Sequence, residues 1–339
     1  MVARAERRTL RLETPFRISR DTEEVVEVVQ VTVAHDGEEG HGEAAPQPYD
    51  GETAESALAY VEAASELLGD DPFALEAIGS RLPQSETAAR AALDAALHDL
   101  CGKLTGLPVW RLLGLDRQGP ATAWSIWLGD PDDMARRAEA ARGFRVLKLK
   151  LGGHDGLDAE RVRAVRAARD DATLLVDVNE GWTLDEALEL LPPLAELGVA
   201  LVEQPLPAGA DDAPALKAVS PLPIVLDEAC HVLADVAACA RSGHGVNVKL
   251  AKCGGIREAV RMVHAARALG LATMLGCMIE SSLGIAAACQ IASLFDYVDL
   301  DGNLLLAEDP WSGVELRAGV QIPADAPGLG VREAVPSPR

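Results

Sequence analysis

The sequence predicts an α/β chain in which a barrel of eight parallel strands, alternating with helices, follows a smaller α+β unit. Three observations carry that prediction. From about residue 121, eight short apolar runs alternate with Ala/Leu/Arg-rich helical stretches. Before them, the first ~50 residues read as antiparallel strands and residues 53–114 as helices. Finally, Lys150, Asp177, Glu203, Asp227 and Lys249 each stand at the end of an apolar run, at steps of 27, 26, 24 and 22 residues. One strand–helix unit needs about that length.

In the first unit, Thr9-Leu10-Arg11-Leu12 alternates, and Val25 to Val33 is rich in Val, as strands are. His35-Asp36-Gly37 reads as a turn into a third strand ending near Glu43. Thr53 is placed to cap a first helix, AESALAYVEAASELL. Ser85 is placed to cap a later one, ETAARAALDAALHDLCGKL, which should end near Gly106-Leu107-Pro108. The barrel strands are ATAWSIWL, RVLKLKL, TLLVDV, VALVE, PIVLDE, GVNVKL, ATMLGCMI and YVDLD, with helices such as 132–141 and 257–269 between them. Alternation with helices implies parallel strands, and eight of them imply closure rather than an open sheet. The Pro- and Gly-rich stretch from about 310 has little periodicity and is expected to run back to the first unit.

A net charge of −22 on 339 residues argues against nucleic acid or anionic membranes as partners, since both need basic patches. No apolar run approaches the ~18–20 residues of a membrane span. The start, MVARAERRTL, lacks the apolar core of a signal peptide. The six cysteines form no CxxC pair and sit mostly in apolar surroundings, which fits buried free thiols in a reducing, cytoplasmic setting. The seven histidines show no zinc-ligand spacing.

The charged strand ends carry the chemistry. Asp177, Glu203 and Asp227 end three consecutive strands, and an all-oxygen ligand set with open positions suits Mg²⁺. Taken singly, each acid reads equally well as a helix cap or a lysine partner. Lys148 and Lys150 are two apart in a strand and point the same way, into the barrel on this reading. Two inward lysines are costly without a task, and each raises the other's cost of ionisation, so one of them should have a lowered pKa and be a usable base near neutral pH. Lys249 lies four strands on from Lys150, on the opposite wall. Two bases on opposite faces of one carbon can remove a proton from one side and return it to the other, while a metal stabilises the enediolate between.

Together, Lys148-x-Lys150, Asp177-x-Asn179, Glu203, Asp227-Glu228 and Lys249 followed by Gly254-Gly255 resemble the enolase superfamily, muconate-lactonizing-enzyme subgroup. The stretch from Ala89 to Asp94 through Gly102-Lys103, Leu107-Pro108-Val109 and Leu112-Leu113-Gly114 resembles the same family, so the likeness covers nearly the whole chain. Sites of that superfamily pair a Lys or His base with Mg²⁺. The resemblance implies a modified (β/α)7β TIM-like barrel with an N-terminal α+β capping domain. The capping domain would span 1–115, the barrel 116–309, and a segment returning to the cap 310–339. It implies Lys150 and Lys249 as the acid/base pair, with Lys148 supporting the substrate carboxylate and depressing the Lys150 pKa. Asp177, Glu203 and Asp227 would hold Mg²⁺, with Asn179 and Glu228 packed behind them.

At the eighth strand, Asp299-x-Asp301 resembles the dipeptide epimerases, where such a pair receives the α-ammonium of the substrate. Two buried acids need a cation. The alternative is that only one faces the site, since Asp301-Gly302 is itself a turn signal. Side-chain preference should lie in the loops around Phe16, Arg20, Glu23 and Glu24, around Tyr49 and Asp50, and at Met278 and Ser281. A relative specific for Ala-Glu is expected to carry a basic residue near position 23, where this chain has Glu23. Ser281-Ser282 supplies no lysine either, leaving Arg17 and Arg20 as possible substitutes. The expectation is a dipeptide epimerase, assembled as a homo-oligomer, that prefers cationic or apolar dipeptides to Ala-Glu. N-acylamino acid racemisation, o-succinylbenzoate synthesis and muconate-type cycloisomerisation use the same metal and lysines and remain open, as does a barrel kept only for binding.

Overall fold

The computed structural model describes residues 1–334; positions 335–339 of the expected returning segment lie outside the described residues. The chain begins with an antiparallel sheet in the order β1 (Val2–Arg17), β2 (Thr22–His35), β3 (Glu38–Ala44). The first strand is much longer than the Thr9–Leu12 alternation suggests. Its pairing shifts register between Arg11 and Phe16, and Phe16 then faces Glu23 across the hairpin. Pro15 lies in that break, where a residue without an N–H is tolerated. The hairpin end reaches the barrel, and the Arg17 carbonyl accepts from Leu128 N at 2.9 Å.

Four helices follow: α1 (Ala54–Ser65), α2 (Leu75–Arg81), α3 (Thr87–Thr105) and α4 (Val109–Leu112). Thr53 caps α1 in a reciprocal capping box with Ser56, as expected. Ser85 does not cap α3. Glu86, in the left-handed region, precedes that helix, and its first N–H groups, from Thr87 and Ala88, are taken by the Glu52 carboxylate. A buried carboxylate satisfies two donors and favours the positive helix end, so no local hydroxyl is needed. Helix α3 is alanine-rich and buried on most sides because β3 lies directly on it. A Cβ at Gly40 or Gly42 would fall 2.0 or 2.1 Å from the carbonyls of Ala96 and Ala92.

The barrel strands are β4 (Ala123–Ile126), β5 (Val146–Lys150), β6 (Thr173–Asp177), β7 (Val199–Glu203), β8 (Ile224–Leu226), β9 (Gly245–Lys249), β10 (Ala272–Gly276) and β11 (Tyr297–Asp299). All are parallel and neighbour in sequence order. A parallel bridge between Thr122 and Val298 closes the ring, and Leu300 N donates to Thr122 Oγ1 at 2.7 Å. The connecting helices are α5 (Pro131–Ala140), α6 (Asp158–Ala168), α7 (Leu184–Glu196), α8 (Ala213–Val219), α9 (Leu233–Ser242), α10 (Leu250–Cys253), α11 (Ile256–Ala268) and α12 (Ser282–Cys289). A 3-10 turn, Gly302–Leu305, follows β11 instead of a helix. This is a (β/α)7β barrel under an antiparallel-sheet cap. Its lower interior is filled by Ala123, Leu175, Leu201, Val225 and Met274, which leaves the carboxyl ends for polar groups.

The last described stretch holds β12 (Trp311–Ser312), β13 (Val314–Arg317), β14 (Val320–Pro323) and β15 (Arg332–Glu333). It contacts the first unit: Trp311 packs on His41 with ring centres 5.2 Å apart, and Leu329 N donates to Asp99 Oδ1 at 2.7 Å.

Candidate active site

Strand alternation builds the site. On β5, Leu147 and Leu149 pack outward against the helices, so Lys148 and Lys150 turn into the barrel, where both are buried. Lys150 pairs in register with Asp177, and Asp177 with Glu203, which sets three charged side chains at one height. Asp227 lies one residue beyond β8. Lys249 ends β9 in register with Gly276, which is in register with Asp299. Asn247, two residues before Lys249, shares its inward face and donates to Glu203 Oε1 at 2.7 Å. Gly276 makes room for it, since a Cβ there would fall 2.6 Å from the Asn247 side-chain oxygen. The turns that follow β6 and β7 are strained: Asn179, Glu180 and Gln204 have φ of 45°, 67° and 37°.

Lys148 is the hub. Its Nζ lies 2.7 Å from Asp299 Oδ2, 2.8 Å from Glu203 Oε2 and 3.0 Å from Asp177 Oδ2. Lys150 Nζ donates to Asp177 Oδ2 at 2.6 Å and Asn179 Oδ1 at 3.3 Å. On the far wall, Lys249 Nζ lies 2.8 Å from Asp227 Oδ2. Lys252 donates to Asp227 Oδ1, to its carbonyl at 2.6 Å and to the Cys230 carbonyl at 3.1 Å.

Of the neighbouring Lys148 and Lys150, Lys148 does not carry the lowered pKa. Burial pushes Lys148 down, but Asp177, Asp299 and Glu203 outweigh it and hold its pKa well above the ordinary value. Burial likewise opposes, and Asp227 outweighs, at Lys249. Among the acids, burial and then Asp177 push Glu203 up to about 8. Asp177 and Asp227 are held down despite burial by the lysines facing them. Asp301, buried and beside Asp299, is pushed up to about 7. Its Oδ2 accepts from Ser125 N at 2.7 Å, and Asp299 Oδ1 is buried without a hydrogen-bond partner.

The cap covers this constellation. Phe16, Ile18, Arg20, Glu23, Val26 and Tyr49 line one cavity together with Lys148, Lys150, Asn179, Lys249, Met278, Asp299 and Asp301. Three residues expected in the pocket are elsewhere. Glu24 points to solvent, because it neighbours Glu23 on a strand and takes the opposite face. Asp50 does not line the cavity, and its half-buried carboxylate has Oδ1 3.8 Å from His231 Nε2. Ser281 caps α12, and its N–H (2.7 Å) and hydroxyl (2.5 Å) both donate to buried Glu43 on β3. Arg20 is committed to Glu228 at 2.9 Å, so it is not a free cation for a substrate carboxylate.

Sequence reasoning missed Ser125, Asn247, Lys252 and Gln204, whose side-chain oxygen accepts from Asp227 N and Ala229 N at 3.0 and 3.1 Å. Asn247 was accessible, since it stands two residues from Lys249 on the same strand face. All six cysteines are free, and five of them are buried.

The chemistry of the donor set suits a divalent cation. Asp177, Glu203 and Asp227 are buried oxygen donors at adjacent strand ends, and beside them Glu228 Oε2 is buried without a hydrogen-bond partner. Among the described residues these acids are not drawn into a ready-made metal cage. Their charge is met instead by Lys148, Lys150, Lys249 and Lys252.

Residues 2–114 match the family model of the mandelate racemase/muconate lactonizing enzyme N-terminal domain, and 133–333 that of the enolase C-terminal domain-like family. The chain belongs to this family. It is 40% identical over 329 residues to an L-Ala-D/L-Glu epimerase of Bacteroides thetaiotaomicron, covering 95% of this chain and 85% of that one. It is 41% identical to a hydrophobic dipeptide epimerase of Roseobacter litoralis, covering 93% and 94%. Among solved structures it is similar to a dipeptide epimerase from Methylococcus capsulatus complexed with Mg and the dipeptide L-Arg-D-Lys, with 34% identity, a TM-score of 0.89, and coverage of 97% and 98%.

Proposed function

We propose that this protein is a Mg²⁺-dependent dipeptide epimerase that inverts the α-carbon of the C-terminal residue. The observation that carries this reading is the Asp299/Asp301 pair. Both acids are buried and line the same cavity as Lys150 and Lys249, and Asp299 keeps one oxygen without a partner. Lys148 is shared among Asp299, Glu203 and Asp177, so the pair has room for a further cation, which the α-ammonium of a dipeptide supplies. An N-acylated amino acid or a muconate has none to offer.

Lys150 and Lys249 stand on opposite walls and carry the proton: one takes it from the α-carbon, the other delivers one to the opposite face. For either direction the lysine acting as base must be neutral while the opposite one keeps the proton that it delivers, with Asp177 beside Lys150 and Asp227 beside Lys249. Lys148, between Asp177 and Asp299, receives the substrate carboxylate. Asp177, Glu203 and Asp227 would hold Mg²⁺, with Asn179 and Glu228 behind them. Mg²⁺, when bound, supplies positive charge against the developing charge on the substrate carboxylate. The cap excludes water, which strengthens each of these contacts.

The side-chain end of the cavity favours apolar or cationic residues over glutamate. Phe16, Ile18, Val26, Met278, Ile279 and Leu305 are apolar, and Glu23 is an acid that burial and nearby Asp21 push up in pKa. An acidic side chain would meet Glu23 with Arg20 already engaged. That relatives include hydrophobic dipeptide epimerases and a neighbour bound to L-Arg-D-Lys supports this preference.

The test is incubation of a dipeptide library with Mg²⁺ in D₂O, read by mass spectrometry. A gain of one mass unit on the C-terminal residue of apolar or cationic dipeptides is expected. Highest kcat/KM on Ala-Glu would overturn the preference, and absence of exchange across the library would overturn the activity.

A further inference from the structure

Arg20 belongs to the cap, but its contacts run into the barrel. Its Nη1 donates to Glu228 Oε1 at 2.9 Å and lies 3.4 Å from both the Glu180 carboxylate and the Asn179 carbonyl. Its guanidinium carbon sits 4.7 Å from the centre of the Tyr49 ring, so the second cap loop holds it from above. Ser19 donates its hydroxyl to the same Asn179 carbonyl at 3.0 Å.

The oxygen of Glu228 that Arg20 holds also accepts from Asn179 Nδ2 at 3.1 Å. Asn179 Oδ1 in turn accepts from Lys150 Nζ at 3.3 Å. Asn179 has φ 45°, a conformation that persists only when its surroundings enforce it. Here they do so at three points: Asp177 Oδ1 takes its N–H at 3.0 Å, Ser19 and Arg20 take its carbonyl, and Glu228 takes its amide. A continuous chain therefore runs from Arg20 through Glu228 and Asn179 to Lys150. Lys249 is held differently, by Asp227, which Lys252 anchors from within the barrel.

We infer that Arg20 is a positioning residue for Lys150. Through Glu228 and Asn179 it fixes the Lys150 ammonium from the cap by a hydrogen-bonded chain, whereas Lys249 is held by Asp227 from within the barrel. This rests on the epimerase reading above, and it gives Arg20 a task other than binding a substrate carboxylate. The catalytic consequence is an asymmetry. Each lysine faces one epimer's α-proton, so loss of Arg20 weakens exchange from one epimer more than from the other.

The experiment measures α-proton exchange in D₂O separately from the two epimers of one accepted dipeptide. Lys150→Met and Lys249→Met first assign each epimer to its lysine. Arg20→Met is expected to slow the Lys150-dependent epimer about tenfold more than the other, the order expected for losing one charged hydrogen bond. Glu228→Gln is expected to reproduce the asymmetry, and Arg20→Lys to recover part of the Lys150-dependent exchange and so reduce it. Equal slowing of both epimers, or a rise in KM for both with kcat unchanged, overturns the inference and leaves the epimerase reading standing. If the wild-type protein exchanges neither epimer of any dipeptide, the epimerase reading itself falls. Should Arg20→Met not fold, Arg20→Lys and Glu228→Gln carry the same comparison.

Discussion

At the residue scale, each proposed role makes a distinct demand. Substituting both Asp299 and Asp301 by Asn keeps their shape but removes the charge that would hold an α-ammonium. Activity on free dipeptides should fall by about a hundredfold or more, as expected for breaking a buried ion pair, while N-acylated analogues are affected less. Comparing kcat/KM for the two substrate classes checks this, and equal retention of both would demote the pair to a structural role. A second residue-scale prediction concerns pH. Burial pushes Glu43 up to about 7 and, with Glu43 beside it, Glu280 up to about 8. Both pKa values are raised in the folded state, so the folded protein keeps protons that the unfolded chain releases above about pH 4.3. The stabilisation is therefore full below that pH and is lost as pH rises to about 7 for Glu43 and about 8 for Glu280. Melting temperature should fall between pH 5 and 8, and Glu43→Gln and Glu280→Gln should each flatten that slope. A slope unchanged in both variants would rule out these two acids as its source.

At the element scale, α3 offers a contrast between two neighbouring side chains. Ser85 has the sequence signature of a cap, but Glu52, thirty-five residues before Thr87, accepts from the helix's first N–H groups. Glu52→Ala should cost about 1–2 kcal/mol, the usual value of a lost N-terminal cap, whereas Ser85→Ala should be close to neutral. Urea unfolding of the two variants separates them. The same logic explains why strand and helix positions were legible while some caps were not. Strand β5 declares itself by alternation within five residues, because inward lysines and outward leucines follow from the backbone period. The partner of a helix end can come from anywhere in the chain, and for α3 it came from the loop before α1.

At the scale of the whole molecule, the buried acids Asp177, Glu203 and Asp227 are faced by Lys148, Lys150, Lys249 and Lys252. Adding Mg²⁺ to a set that binds it in the folded state raises stability by about 2.7 kcal/mol at a hundred times Kd. Mg²⁺ should therefore raise the melting temperature, chelation should reverse this, and Glu203→Gln should abolish the response. An unchanged melting temperature at saturating Mg²⁺ would argue against these three carboxylates as its ligands. The cap enters the same balance. Glu43 on β3 takes both donors of Ser281, which follows the Met278–Glu280 loop, and so ties the sheet to the cavity wall.

The sequence alone determined the strand–helix alternation, the order of the barrel strands, and the charged residues at their carboxyl ends. Each of these is written in local periodicity and in spacings of one strand–helix unit. Only the tertiary structure decided that Lys148 faces three carboxylates at once, that Lys252 anchors Asp227, that Glu24 points to solvent and that Asp50 turns to His231. It also decided that Ser281 serves Glu43 and that Arg20 serves Glu228. These outcomes depend on which loops meet across separations of up to 238 residues. No period in the chain encodes that, because the meeting is fixed by closure of the barrel and docking of the cap.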